Sequence, residues 1–262
     1  MRRTLTATGL VLAAGILAPA AAPAAPELGP RIVGGDLADP SDWRAITPPL
    51  TLGDGDAVGA QLCAGTLVGA EWVLTAAHCA EGFDADELHV APGAVTLSSL
   101  QPGDQVPVAQ IRVHPDYDPS TQEFDAALLR LGTPTDAPPM AMAAAVPPAG
   151  TPVEVAGWGV LTSGGGEPAD RLRSVAVPIV GDAGCATAYD PSYFSESMVC
   201  AGAAGVDSCQ GDSGGPLADG PPDGRRLLGI VSWGAGCALP GFPGVYTRVS
   251  AVRAWALGEM SE

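Results

Sequence analysis

Apolar residues in this chain come in short runs broken by glycine, proline and acidic residues, a pattern of strands joined by turns rather than of long helices. Residues 61–74 read as strand, turn and strand. Residues 106–113 alternate weakly before His114 and Pro115, and 126–131 form the continuous apolar run of a buried strand. Residues 132–150 are rich in Pro, Ala and Thr, which marks a linker. Beyond it, 153–159, 172–180, 226–233 and 244–249 are further strand candidates. Ser250 is placed to cap a closing helix on which Val252, Trp255 and Ala256 share a face. The layout predicts an all-β fold of two small antiparallel barrels followed by a helix. No internal repeat is present, and the charges are scattered.

The N-terminal apolar excess has a different meaning. Arg2 and Arg3 precede an apolar stretch at 10–18 and small residues up to Ala25, the three regions of a secretory signal, so 1–25 is assigned to targeting. The rival reading, a membrane anchor, needs about 20 apolar residues, more than this run supplies. Ala20, Ala22 and Ala24 each satisfy the small-residue cleavage rule. The full 262-residue sequence includes 35 glycines and 26 prolines, in keeping with many turns, and enough apolar residues (47%) for a sizeable core.

All 12 basic residues are arginine, and the net charge is −17. Removing 1–31 takes away three arginines and one glutamate and leaves −19. Such acidity excludes nucleic acid and anionic membrane as expected partners and favours cationic polypeptides. Solubility outside the cell is the plainer explanation. Six cysteines in a secreted chain are expected to pair, and spacing alone leaves 15 connectivities open. Zinc is the rival use, but there is no C-x-x-C pair to build a site, and neither a metal nor a cofactor is expected.

The chemistry concentrates in Gly-Asp-Ser-Gly-Gly-Pro, Gly211 to Pro216. A serine between glycines can sit on a tight turn with its backbone N–H groups turned to a substrate. Serine needs a base, and the base an orienting partner. Upstream, Leu-Thr-Ala-Ala-His-Cys supplies His78 and Phe-Asp-Ala-Ala-Leu-Leu supplies Asp125. An imidazole titrates near neutrality, at about 6.5, and so can exchange protons at working pH. His89 and His114 lack such a context and read as surface or core residues.

The order His78, Asp125, Ser213 with these flanking motifs resembles the chymotrypsin-like serine peptidases of trypsin type, from Ile32 to the C-terminal helix. The resemblance implies two packed six-stranded antiparallel barrels, 32–131 and 151–249, joined by 132–150 and closed by a helix in 250–262. It implies Cys63 paired with Cys79, Cys185 with Cys200, and Cys209 with Cys237. It gives His78 the role of general base and acid, Asp125 that of its orienting partner, Ser213 that of nucleophile, and the N–H groups of Gly211 and Ser213 that of the oxyanion hole. Asp207 would lie at the base of the primary pocket and select arginine or lysine, aided by Ser208. Ser232, Trp233, Gly234 and Gly244 complete the substrate-binding set, with Ser232 also bonded to Asp125. Residues 26–31 look like a short activation segment: cutting between Arg31 and Ile32 would free an amine to pair with Asp212. Because that segment ends in arginine, self-activation is expected, with autolysis at Arg225 or Arg226.

Three departures from the family pattern stand out. Phe124 and Ala126 flank Asp125 where asparagine and a larger aliphatic residue are usual. Ala64 and Thr66 alter the usual Cys-Gly-Gly-Ser. Residues 93–105 hold only Asp104 as an acid, so no calcium site is expected there. The reading implied is a secreted zymogen of an endopeptidase, acting as a monomer on polypeptides and met by protein protease inhibitors. A catalytically silent binding relative and a narrow processing protease are the alternatives.

Overall fold

The computed structural model describes residues 34–51, 57–162 and 166–261. The expected targeting and activation segments, with Arg31 and Ile32, lie outside the described residues.

Two antiparallel sheets form the frame. In the first, the strands run in the order Ile46–Thr47, Gly65–Gly69, Trp72–Thr75, Ala127–Leu131, Val106–Val113, Leu88–Val90, Pro49–Thr51. Its two edge strands are consecutive in the chain, so the sheet curls back on itself, and Leu67, Val73, Leu74, Leu128 and Leu129 are all fully buried on one or other of its faces. Side chains at successive strand positions point to opposite faces, which is why Ala127–Leu131 can be apolar on nearly every residue only by being covered on both. In the second sheet, Arg173–Val180, Pro152–Gly157, Pro216–Asp219, Arg226–Trp233, Gly244–Arg248 and Met198–Ala201 form a ring, closed by Ile179 and Val180 pairing with Ala201 and Cys200. Each barrel thus has the six-stranded circuit expected, counting the two consecutive edge strands of the first as one; Asp36–Leu37 and Ala141–Met142 add short pieces to the second.

The strand limits at 106–113 and 226–233 agree with the sequence pattern residue for residue. Elsewhere the differences have local causes. Gln61 makes only an isolated bridge to Leu50, and the strand begins at Gly65, after the Cys63–Cys79 disulfide turns the chain. The linker region contains the strand Ala141–Met142, parallel to Arg226 and Leu227, and Met140 N–H donates to Leu67 C=O, so it is fastened to both sheets. The closing helix runs Val249–Glu259 with Arg248 as N-cap and no side-chain cap; Ser250 lies inside it. The helix needs no polar cap of its own, because Val249, Val252 and Ala256 are fully buried and packing holds it. A second helix, Asp182–Tyr189, has mostly small apolar residues that mark no single face in sequence, and it is held by the Cys185–Cys200 disulfide.

Arg225 corrects the autolysis expectation. Its side chain is 6% exposed, lies 4.1 Å over the Trp43 ring, donates to Asp42 C=O and pairs with Glu154. Arg226 opens a central strand and is bonded to Asp219. Presenting Arg225 to a protease would require lifting it from the Trp43 ring and its acidic partners, whereas the Arg226 side chain is exposed.

Candidate active site

Antiparallel pairing brings the first two site residues together. Thr75 ends one strand and faces Ala127 at the start of its neighbour, so the chain leaving at His78 and the chain arriving through Asp125 share one end of the sheet. His78 lies in a single helical turn, Ala77–Cys79, and the Cys63–Cys79 disulfide fixes that turn. Asp125 is fully buried. The His78 backbone N–H donates to its Oδ1 at 3.0 Å, and His78 Nδ1 lies 2.8 Å from Oδ2. Ser232 Oγ donates to Oδ2 at 2.5 Å, and Thr247 Oγ1 donates to the Asp125 carbonyl at 2.7 Å. A carboxylate that only accepts places the imidazole proton on Nδ1 and leaves Nε2 as the basic nitrogen.

Phe124 has φ +50°, a left-handed conformation that costs a bulky side chain energy. Its ring stacks on His114 at 5.0 Å, and Trp255 meets His114 edge-on at 4.7 Å. His114 is buried in this cluster, and desolvation lowers its pKa, which fits a packing role.

The Ser213 loop is pressed against the first barrel. Ala64 N–H donates to Ser213 C=O at 2.7 Å. Gly214 has φ +78°, and a Cβ there would lie 2.2 Å from Thr75 Oγ1 and 2.3 Å from Ala64 O, so only glycine permits this approach. The Asp212 N–H donates to Cys209 C=O, Gly214 to Val231 and Gly215 to Asp212. That leaves the N–H groups of Gly211 and Ser213 as the two of the run from 211 to 215 with no backbone acceptor among the described residues. Between His78 and Ser213 no hydrogen bond is formed; His78 Nε2 lies 3.6 Å from Cys79 Sγ. Cys63, His78 and Cys79 crowd together, yet both sulfurs are in the disulfide and offer no thiolate to a metal.

Beside Ser213 opens a cavity of about 210 Å³ lined by Asp207, Ser208, Ser232, Trp233, Gly234 and Gly244 among others. The Asp207 carboxylate is 2% exposed and accepts N–H groups from Ser208 at 2.9 Å and Ala238 at 3.0 Å. Burial raises its pKa to about 6, with these hydrogen bonds pulling the other way. Ser208 Oγ lies 3.3 Å from the Tyr246 hydroxyl. A Cβ on Gly244 would sit 2.6 Å from Asp207 Oδ1, so a side chain there would block the carboxylate, whereas at Gly234 the nearest atom is 3.5 Å away and a Cβ would make only ordinary contacts.

Asp212 is fully buried, its Oδ1 accepting from Gly159 N–H and its Oδ2 from Cys209 N–H, both at 2.8 Å. Burial pushes its pKa up to about 7. Gly157 and Gly159 form the seat, where a Cβ would come within 2.2 and 2.6 Å of the carboxyl group. These two glycines and Thr247 were not found by motif reading. Their signal is Gly-Trp-Gly at a strand end, which marks a close approach without saying what approaches.

Two closed antiparallel barrels, with a histidine–aspartate pair carried by the first and a serine on a glycine loop beside a pocket lined by a buried aspartate in the second, are the architecture of chymotrypsin-like serine peptidases. The trypsin family profile matches residues 32–256, and the chain belongs to that family. It is 44% identical over 245 residues to human Serine protease 56, covering 88% of this chain and 39% of that protein. It is 40% identical over 225 residues to the trypsin of Saccharopolyspora erythraea, covering 84% and 94%, and 38% identical over 239 residues to Hypodermin-B of Hypoderma lineatum, covering 88% of each. The chain spans about two fifths of the length of the human and mouse Serine protease 56.

Proposed function

We propose that the chain is a secreted serine endopeptidase, made as a zymogen and cutting polypeptides after arginine or lysine. The observation that carries this reading is that the buried Asp207 lines the same cavity as Ser213. A long cationic side chain entering there meets its counter-charge while its scissile carbonyl stays at the rim.

In the proposed reaction His78 Nε2 takes the proton of Ser213 Oγ as that oxygen attacks the carbonyl carbon. The oxyanion receives the free N–H groups of Gly211 and Ser213. Collapse breaks the C–N bond; His78 gives its proton to the leaving amine, and an ester on Ser213 remains. Water then attacks this acyl-enzyme by the same path, losing its proton to His78 and restoring Ser213 with release of the acid. Asp125, held by Ser232, stabilises the imidazolium formed at each step. Peptides ending in Arg, Lys, Phe or Ala before a reporter group test the reading. Hydrolysis of the Arg and Lys substrates only after the Arg31–Ile32 cut supports it; a correctly cut protein inactive on all four overturns it.

Asp212 supplies the proposed switch. A carboxyl group buried without a cation costs about 1.4 kcal/mol for each unit its pKa is raised, and the amine freed at Ile32 would remove that cost. The sign is set by the raised pKa: the folded precursor binds this proton more tightly than the unfolded chain, so its stability falls as pH rises from about 4 to about 7. In the cut form the ammonium keeps Asp212 ionised, and this loss disappears. Melting temperatures of the uncut and cut forms, both Ser213→Ala, should therefore diverge across that range; parallel curves would count against the switch.

A further inference from the structure

Resting on that reading, we propose that Gln61 is a positioning residue for the oxyanion loop. Its side chain lies on the first barrel and reaches across 150 positions of sequence, Nε2 donating to the Gly211 carbonyl at 2.9 Å and to the Cys63 carbonyl at 2.9 Å. The amide orientation follows from these partners: turned over, Oε1 would face two carbonyl oxygens. As it stands, Oε1 is buried with no partner among the described residues. A buried acceptor without a donor is a standing cost, and it is tolerated here where the opposite end of the amide holds the loop.

The held atom matters because of what it adjoins. Gly211 has φ +90° and no side chain, so nothing intrinsic keeps its peptide planes in one orientation. Two ties from the 61–64 segment bracket the buried Asp212: the Gln61 carboxamide on the Gly211 carbonyl and Ala64 N–H on the Ser213 carbonyl. Of the two N–H groups assigned to the oxyanion, that of Ser213 lies between these ties and that of Gly211 belongs to the residue whose carbonyl Gln61 holds. The Cys63–Cys79 disulfide joins the same segment to the His78 turn, so Gln61 links the loop that stabilises the oxyanion to the frame that carries the base. The Asp207 floor has its own hydrogen bonds and does not depend on this contact.

The test uses the activated full-length enzyme. Gln61→Met keeps the length and removes both donors. Its kcat on an arginine peptide amide should fall by about tenfold to a hundredfold, the scale of a small misplacement or a weakened oxyanion donor, with KM within twofold. Affinity for an arginine aldehyde, which forms an oxyanion on Ser213, should fall in parallel, while benzamidine, which fills only the pocket, should bind as before. Gln61→Glu sets a carboxylate against the two carbonyls, so its deficit should narrow as pH falls and the carboxyl regains a donor proton; this variant decides the matter if Gln61→Met does not fold. An unchanged kcat, or equal weakening of aldehyde and benzamidine, overturns the inference. Inactive wild-type enzyme would instead overturn the peptidase reading on which it rests.

Discussion

Replacing Ser213 by alanine is expected to lower kcat by about 10⁶-fold, the scale set by loss of the nucleophile in subtilisin. The protein should otherwise be intact, because Ser213 holds its neighbours through its main chain: its carbonyl accepts from Ala64 N–H, and its side chain makes no hydrogen bond that the fold requires. Benzamidine binding should therefore survive. Asp125→Asn should cost about 10⁴-fold, a magnitude belonging to this family's own triad and taken over from it. The reason is visible in the contacts: the carboxylate accepts from the His78 N–H, His78 Nδ1 and Ser232 Oγ. An amide turned to keep one of these bonds must oppose another with its NH₂. Steady-state rates on an arginine peptide amide check both variants, and a Ser213→Ala enzyme retaining more than about a thousandth of wild-type kcat would exclude Ser213 as nucleophile.

The difference between these two residues also shows what a sequence can express. Ser213, Asp212 and Gly214 act through a contiguous turn, so their chemistry is written in one run of letters. Gln61 and Thr247 act at a distance of more than 100 residues, onto Gly211 and Asp125, and no local pattern distinguishes them from any other polar residue beside a strand. The three disulfides fall between the two cases. Spacing allowed 15 pairings, the family resemblance implied one, and the sulfurs are joined in that one.

The barrels were legible where turn residues bound a strand on both sides. Residues 226–233 and 106–113 appear in sequence with their true limits because glycine, proline or a charged turn bounds them on each side. Short pieces such as Ile46–Thr47 or Ala141–Met142 contain no period to read; they exist because neighbouring strands offer them hydrogen bonds. Phe124 is the converse case. It stands where asparagine is usual in the family pattern, and the structure holds its left-handed backbone with a stack on His114, so tertiary contacts offset a local preference. Arg225 likewise reads as a polar loop residue, yet an aromatic face and two carboxylates bury it.

Asp207→Ser is expected to lower kcat/KM for arginine and lysine substrates by about 10⁴-fold, since a buried site built around one polar partner rejects a ligand strongly when that partner is missing. The fall should be much smaller for substrates with a neutral residue at that position, so selectivity collapses more than activity. The wild-type carboxylate also makes a pH prediction whose sign follows from burial. With its pKa raised to about 6, Asp207 takes up a proton as pH falls through that value and loses the charge that holds a cation. Benzamidine should thus bind weakly at pH 5, tighten as pH rises through about 6 and level off above it. Measuring this on Ser213→Ala separates binding from the protonation steps of catalysis. Asp207→Ser should show weak affinity and a flat profile. A bound cation itself favours the ionised form, so the complex should titrate at lower pH than the free protein, and proton release on binding near pH 6 should be detectable by calorimetry in buffers of different ionisation enthalpy. Binding that is flat from pH 5 to 8 in the wild-type pocket would mean that another group holds the cation.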